Sequence, residues 1–98
     1  MKMYILVRKD LSKSQQTVQA SHAVAEYLLK GPETNWDNGI MVVLKVPNEE
    51  GLKVKMDELL SHKIPVQAFC EEDIGHQLTA CVAVGDKAGN VLRDMPLL

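Results

Sequence analysis

The sequence predicts an α/β fold: a small mixed four-stranded sheet with helices packed on it. Three observations predict it. Met3 to Val7 and Ile40 to Val46 are short, almost wholly apolar runs of the kind that strands buried on both faces produce. Each run is followed by a capping residue and a longer stretch of helical spacing. Two further apolar runs, Ile64 to Cys70 and Thr79 to Val84, are joined by a link too short for anything but an antiparallel pairing. The order is strand, helix, strand, helix, strand, strand, short helix, and residues 1–98 read as one domain.

The elements follow in turn. After the strand Met3–Val7, Asp10, Ser12 or Ser14 can cap a helix drawn through Ser12 to Lys30. At about 100° per residue, Val18, Ser21, Val24, Ala25, Leu28 and Leu29 share one side, read as the core stripe. Gln15, Gln19, His22 and Glu26, spaced four, three and four apart, form a polar row beside it. The small residues Ala20, Ser21, Ala23 and Ala25 let the axis approach a sheet closely. Lys30-Gly31-Pro32 ends the helix, and Glu33 to Asn38, with Trp36, is a polar loop. The strand Ile40–Val46 reads as central. Asn48 caps the next helix, where Glu49 and Glu50 suit the dipole and Leu52, Met56, Leu59 and Leu60 supply the apolar face. Helical crossovers normally join parallel neighbours, so Ile64–Cys70 is expected beside Ile40–Val46. Ala88 to Asp94 makes a short last helix, stopped by Pro96.

Composition excludes several functions. Aromatic residues are 4% of the chain, too few for a wall of rings on which bases could stack. A net charge of −2 argues against a general polyanion binder, yet Lys2, Arg8, Lys9 and Lys13 oppose only Asp10 in the first thirteen residues. Cys70 and Cys81 lie in predicted strands. With no signal peptide or long apolar run, they read as reduced, buried thiols of a cytoplasmic protein without a membrane segment.

Three histidines and two cysteines raise the question of zinc, but no pair has ligand spacing and His62 sits in a polar helix end, so no metal is expected. Ser21 and His22 point about 100° apart on a helix, which argues against a nucleophile and base pair. On spacing alone, His22 reads as a helix histidine beside the core rather than a catalytic one, Gln15 and Gln19 as a solvated face, and Glu71-Glu72-Asp73 as a solvated loop. What lifts Asp73 above that background is position. Strand ends are where α/β sheets assemble sites, and if Ile64–Cys70 runs parallel to the first strand, Asp73 shares a rim with Arg8, Lys13 and Gln15. No phosphate loop, nucleophile elbow or dinucleotide fingerprint occurs.

The segments MYILVRKDL, QTVQASHAVAEYL, Trp36, MVVLKV with its acidic helix start, EDIG and TACVAVG together resemble the type-II peptidyl-tRNA hydrolase family across nearly the whole chain. The resemblance implies cleavage of the ester joining a peptide to the terminal ribose of tRNA, in the cytoplasm, without metal or organic cofactor. The family's lysine, glutamine, small residue and histidine fall on Gln15, Gln19, Ser21 and His22. Its aspartate, small residue and glycine fall on Asp73, Ile74 and Gly75, and its threonine at about Gln77. Gln15 departs from the pattern, since an amide stabilises phosphate or a developing oxyanion less than a cation does. With a shorter loop before the last strand as well, the chain is more similar to the compact, divergent peptidyl-tRNA hydrolase domain-containing proteins.

The resemblance assigns catalysis to Asp73, Gln15 and His22, with Asp73 orienting or activating water. Arg8, Lys9, Lys13, Gln19 and Gln77 are the expected substrate-binding residues. The partner it implies is tRNA or peptidyl-tRNA. A homodimer is compatible with this reading. The competing class is a non-catalytic module of the same fold that binds tRNA or a protein, and a third is a subunit whose role is assembly.

Overall fold

The computed structural model describes residues 1–32 and 36–98, so part of the polar loop expected over Glu33 to Asn38 lies outside the described residues. The elements are β1 (Met3–Arg8), α1 (Lys13–Lys30), β2 (Met41–Val46), α2 (Glu49–Ser61), β3 (Gln67–Glu71), a turn of 3-10 helix (Glu72–Ile74), β4 (Gln77–Val84) and α3 (Asp86–Leu92). They form the predicted α/β arrangement, a mixed four-stranded sheet in the order β2-β1-β4-β3. β1 and β2 are parallel, while β4 runs antiparallel to both β1 and β3.

Alternation along β1 sorts the core into two layers. Met3, Ile5 and Val7 join Ala80 and Val82 of β4 under Ala23 and Tyr27 of α1. On the other face Leu6, Leu44, Val46, Cys81 and Ala83 pack under Leu52 and Leu59 of α2 and Leu92 of α3. Ser12 caps α1 by accepting from the Gln15 amide at 3.2 Å, and Asn48 caps α2 by accepting from Gly51 at 2.9 Å. Gly31 stops α1 with extended backbone rather than a left-handed turn. A side chain there would press its Cβ against the Tyr27 carbonyl, so the position needs close approach more than conformational freedom.

Three expectations give way. β2 is an edge strand and not a central one, and β3 sits at the opposite edge instead of beside it. The reason is burial: Thr79 to Ala83 of β4 are wholly buried, whereas Met41 of β2 is exposed and Val43 and Lys45 are half-buried. The strand able to fill both layers takes the place beside β1, and the tight β3–β4 link carries β3 outward with it. The outer edge of β2 is closed by the chain's last residues: Lys45 N donates to the Pro96 carbonyl and Leu98 N to that of Val43, both at 3.0 Å.

The second difference concerns α1. Its buried line is Gln19, Ala23 and Tyr27, at steps of four. Val18, Leu28 and Leu29 of the expected core stripe are 41%, 55% and 78% exposed. Gln19 can be buried because both ends of its amide are hydrogen-bonded, and the Tyr27 ring covers more of the sheet than an aliphatic side chain would. Third, only Cys81 is a buried thiol. Cys70 is exposed where β3 shifts register between Phe69 and Cys70, and both cysteines are free.

Candidate active site

The two antiparallel pairings through β4 make β1 and β3 run in the same direction. The end of β1 at Arg8, the start of α1 at Lys13, the 3-10 turn carrying Asp73 and the start of β4 at Gln77 therefore share one rim of the sheet. This meets the condition on which the rim position of Asp73 depended. α1 crosses that face above β1, β4 and β3, and its polar row turns toward the β3–β4 hairpin: Gln19 reaches β4, and the His22 ring stacks on Phe69 of β3 with centroids 4.6 Å apart and planes within 4°.

A hydrogen-bonded relay holds the centre of the row. The Thr79 hydroxyl donates to Gln19 Oε1 at 2.7 Å, and Gln19 Nε2 donates to Gln15 Oε1 at 3.1 Å. Gln19 and Thr79 are 1% and 0% exposed, so the relay is anchored in the core and ends on the exposed Gln15 amide. With Gln15 Oε1 occupied from below, its Nε2 is the group offered outward, a neutral donor at the position where the resemblance expects a cation. Thr79 has no part in the reading from sequence, which placed the family threonine at about Gln77. Its signal was a lone hydroxyl in the otherwise apolar run Thr79 to Val84, a buried polar group that needs a partner.

Arg8 is committed elsewhere. It is 7% exposed; Nε and Nη2 grip Asp10 at 2.9 and 2.8 Å, and Nη1 donates to Gln77 Oε1 at 2.8 Å and the Leu78 carbonyl at 3.0 Å. Glu49 Oε2 accepts from Leu78 N at 2.8 Å, tying α2 into the same knot. The hydrogen bond from Arg8 holds the Asp10 carboxyl below its ordinary pKa, and the same bond raises that of Arg8 against the cost of burial. Arg8 and Gln77 thus join strands at the rim, while Lys9 and Lys13 are exposed there and make no ion pair among the described residues. Asp73 is exposed in its turn. After Ile74, Gly75 and His76 both adopt left-handed backbone at φ 76° and 58°, the sharp reversal that starts β4.

The rim is a shared edge rather than a recess. One hollow of about 580 Å³ lies between α2 and α3, lined by Glu58, His62, Lys87, Asn90, Arg93 and Asp94. Another, of about 510 Å³, separates α1 from β2. Neither includes Gln15, Gln19, His22 or Asp73. Among the described residues no three histidine, cysteine or acidic side chains group as metal ligands, and no helix is long and apolar enough to cross a membrane.

A family model, described as peptidyl-tRNA hydrolase PTH2, matches residues 1–96. The chain belongs to the type-II peptidyl-tRNA hydrolase family. Membership makes this a peptidyl-tRNA hydrolase-like domain of a translation-associated family, with peptidyl-tRNA as the implied substrate class. Among solved structures, a protein of unknown function from Agrobacterium tumefaciens is similar with a TM-score of 0.66 and 17% identity over 99% of this chain and 96% of that one, a likeness of fold. No curated protein matches.

Proposed function

We propose that the domain is a cytoplasmic hydrolase of the ester between peptide and tRNA, working with Asp73, Gln15 and His22 and without metal or organic cofactor. The observation that carries this is the Thr79–Gln19–Gln15 relay, which fixes an outward N–H donor on the rim that also bears Asp73. A carboxylate and an oriented donor are the minimum for adding water to an ester carbonyl: Asp73 orients or activates the water, and the Gln15 amide steadies the developing oxyanion. His22, held flat on Phe69, and Gln19 fix the helix side of that space. Lys9 and Lys13 meet phosphate. Gln77 acts through Arg8, its hydrogen-bonding partner.

An amide in place of a cation costs rate. Loss of one strong oxyanion stabiliser is worth about 10²- to 10³-fold, so the expected turnover is slow for the family. The uncharged Gln15 also favours a second reading, in which the domain binds tRNA or a protein and releases no product. Cleavage of peptidyl-tRNA by the wild-type protein, measured beside Asp73→Asn, tests the two. The hydrolase reading expects release of free peptide that falls by about 10²- to 10⁴-fold in the variant. No release by the wild type, with tRNA still bound, leaves the binding module.

A further inference from the structure

We infer that the hollow between α3 and the far end of α2 binds a sugar phosphate, a phosphate monoester whose body carries hydroxyl groups. Its volume of about 580 Å³ falls within the range of small-molecule sites, about 300–1,000 Å³. It lies away from the rim. α2 starts at the rim, where Glu49 accepts from Leu78 N, whereas the hollow is lined by Glu58 near the other end of the helix and by the C-capping His62. α2 and α3 also pack on the sheet face opposite α1, so the Thr79–Gln19–Gln15 relay takes no part in it.

The charges around this hollow do not hold the two helices together. Lys87, Asn90 and Arg93 follow at steps of three, which sets them in one row along α3 and its cap. Glu58 lines the same hollow from α2 but bonds within its own helix, where Lys55 Nζ donates to its Oε1 at 2.9 Å. Lys87, Arg93 and Asp94 form no ion pair among the described residues. A purely structural role would pair Glu58 with Lys87 or Arg93 across the gap. Instead the gap stays open, and with Lys55 offsetting Glu58, the two cations of the row outweigh Asp94.

The division of these groups between the two helices sets the chemistry of the ligand. On the α3 side the planar guanidinium of Arg93 can grip two phosphate oxygens at once, and Lys87 adds a point charge. The α2 side offers acceptors: the second carboxylate oxygen of Glu58 and the His62 ring, at a helix C-terminus that disfavours an anion. Phosphate therefore belongs on α3 and the body of the ligand toward α2. That body must donate to Glu58 and Asp94 and accept from the Asn90 amide, and hydroxyl groups do both. A bare phosphate leaves the α2 side unused, and an apolar body leaves the carboxylates without partners. Ile64 and Val91 are the apolar part of the lining, against which the carbon skeleton of a sugar rests.

Lys87 and Arg93 belong neither to the Thr79–Gln19–Gln15 relay nor to the Asp73 turn, so the inference stands or falls apart from the hydrolase reading. Isothermal titration calorimetry of the full chain with ribose 5-phosphate tests it. Binding at one site per chain is expected with a Kd of about 1 mM or below, and ribose and inorganic phosphate should each bind at least about tenfold more weakly. Arg93→Gln and Lys87→Gln, at exposed positions and with unchanged circular dichroism, should each weaken ribose 5-phosphate about tenfold. Glu58→Ala should weaken ribose 5-phosphate and spare inorganic phosphate. Adenosine 5′-monophosphate carries the same ribose phosphate: tighter binding of it assigns a nucleotide as the source, and equal or weaker binding assigns the free sugar phosphate. No binding of ribose 5-phosphate at about 10 mM would overturn the proposal. So would inorganic phosphate binding as tightly as ribose 5-phosphate, or undiminished binding by Arg93→Gln.

Discussion

Gln15 is a side chain whose chemistry is set by two others. Its carbonyl oxygen is taken by Gln19, whose own carbonyl is taken by Thr79, and the amide that remains is aimed by hydrogen bonds that start inside the core. Thr79→Val removes the buried donor while keeping its shape. Leaving Gln19 Oε1 unsatisfied should cost about 1–3 kcal/mol of stability, read by chemical denaturation, and it should loosen Gln15. Gln15→Lys should instead raise peptidyl-tRNA cleavage, since an ammonium stabilises an oxyanion better than an amide. No gain in a variant that is still folded would point to the shortened loop or to the binding-module reading.

Between elements, the Arg8 knot is the main polar fastening of the rim. It joins the end of β1 to the start of β4 through Gln77 and Leu78, with Glu49 of α2 on the far side of Leu78. Asp10 makes the knot pH-sensitive. Its folded pKa is depressed below the unfolded value of about 3.9, so its contribution is complete above that pH and is lost as pH falls through the lower folded value. Thermal melts should therefore show wild-type stability dropping below about pH 4 more steeply than that of Asp10→Asn, which lacks the titrating group. A slope unchanged by the substitution would assign the acid sensitivity to another carboxylate. Cys81, in the central strand between the two layers, has its thiol pushed up to about 12 by burial.

For the whole molecule the question is where a polyanion could approach a chain of net charge −2. Arg8 is neutralised by Asp10, which leaves Lys9 and Lys13 as the cations at the start of α1 without an ion pair among the described residues. The double variant Lys9→Glu, Lys13→Glu should weaken tRNA binding and reduce the salt slope by about 1 per lysine lost. Unchanged affinity and slope would place the tRNA elsewhere. Because Arg8 is a structural group, reversing its charge would perturb the fold and confuse that measurement.

Local pattern was enough for the elements, the Asn48 cap, the antiparallel link and the family resemblance, because each depends on residues close in sequence, while Ser12 was singled out from Asp10 and Ser14 as the α1 cap only by the structure. It also named the row Gln15, Gln19 and His22 and the turn at Asp73. Strand order, the buried side of α1, the partnership of Thr79 with Gln19 and the commitment of Arg8 were decided only in three dimensions. Each depends on which surfaces compete for the same sheet, and the spacing of residues 15 to 29 cannot reveal that a glutamine with two satisfied partners will displace leucines from the core.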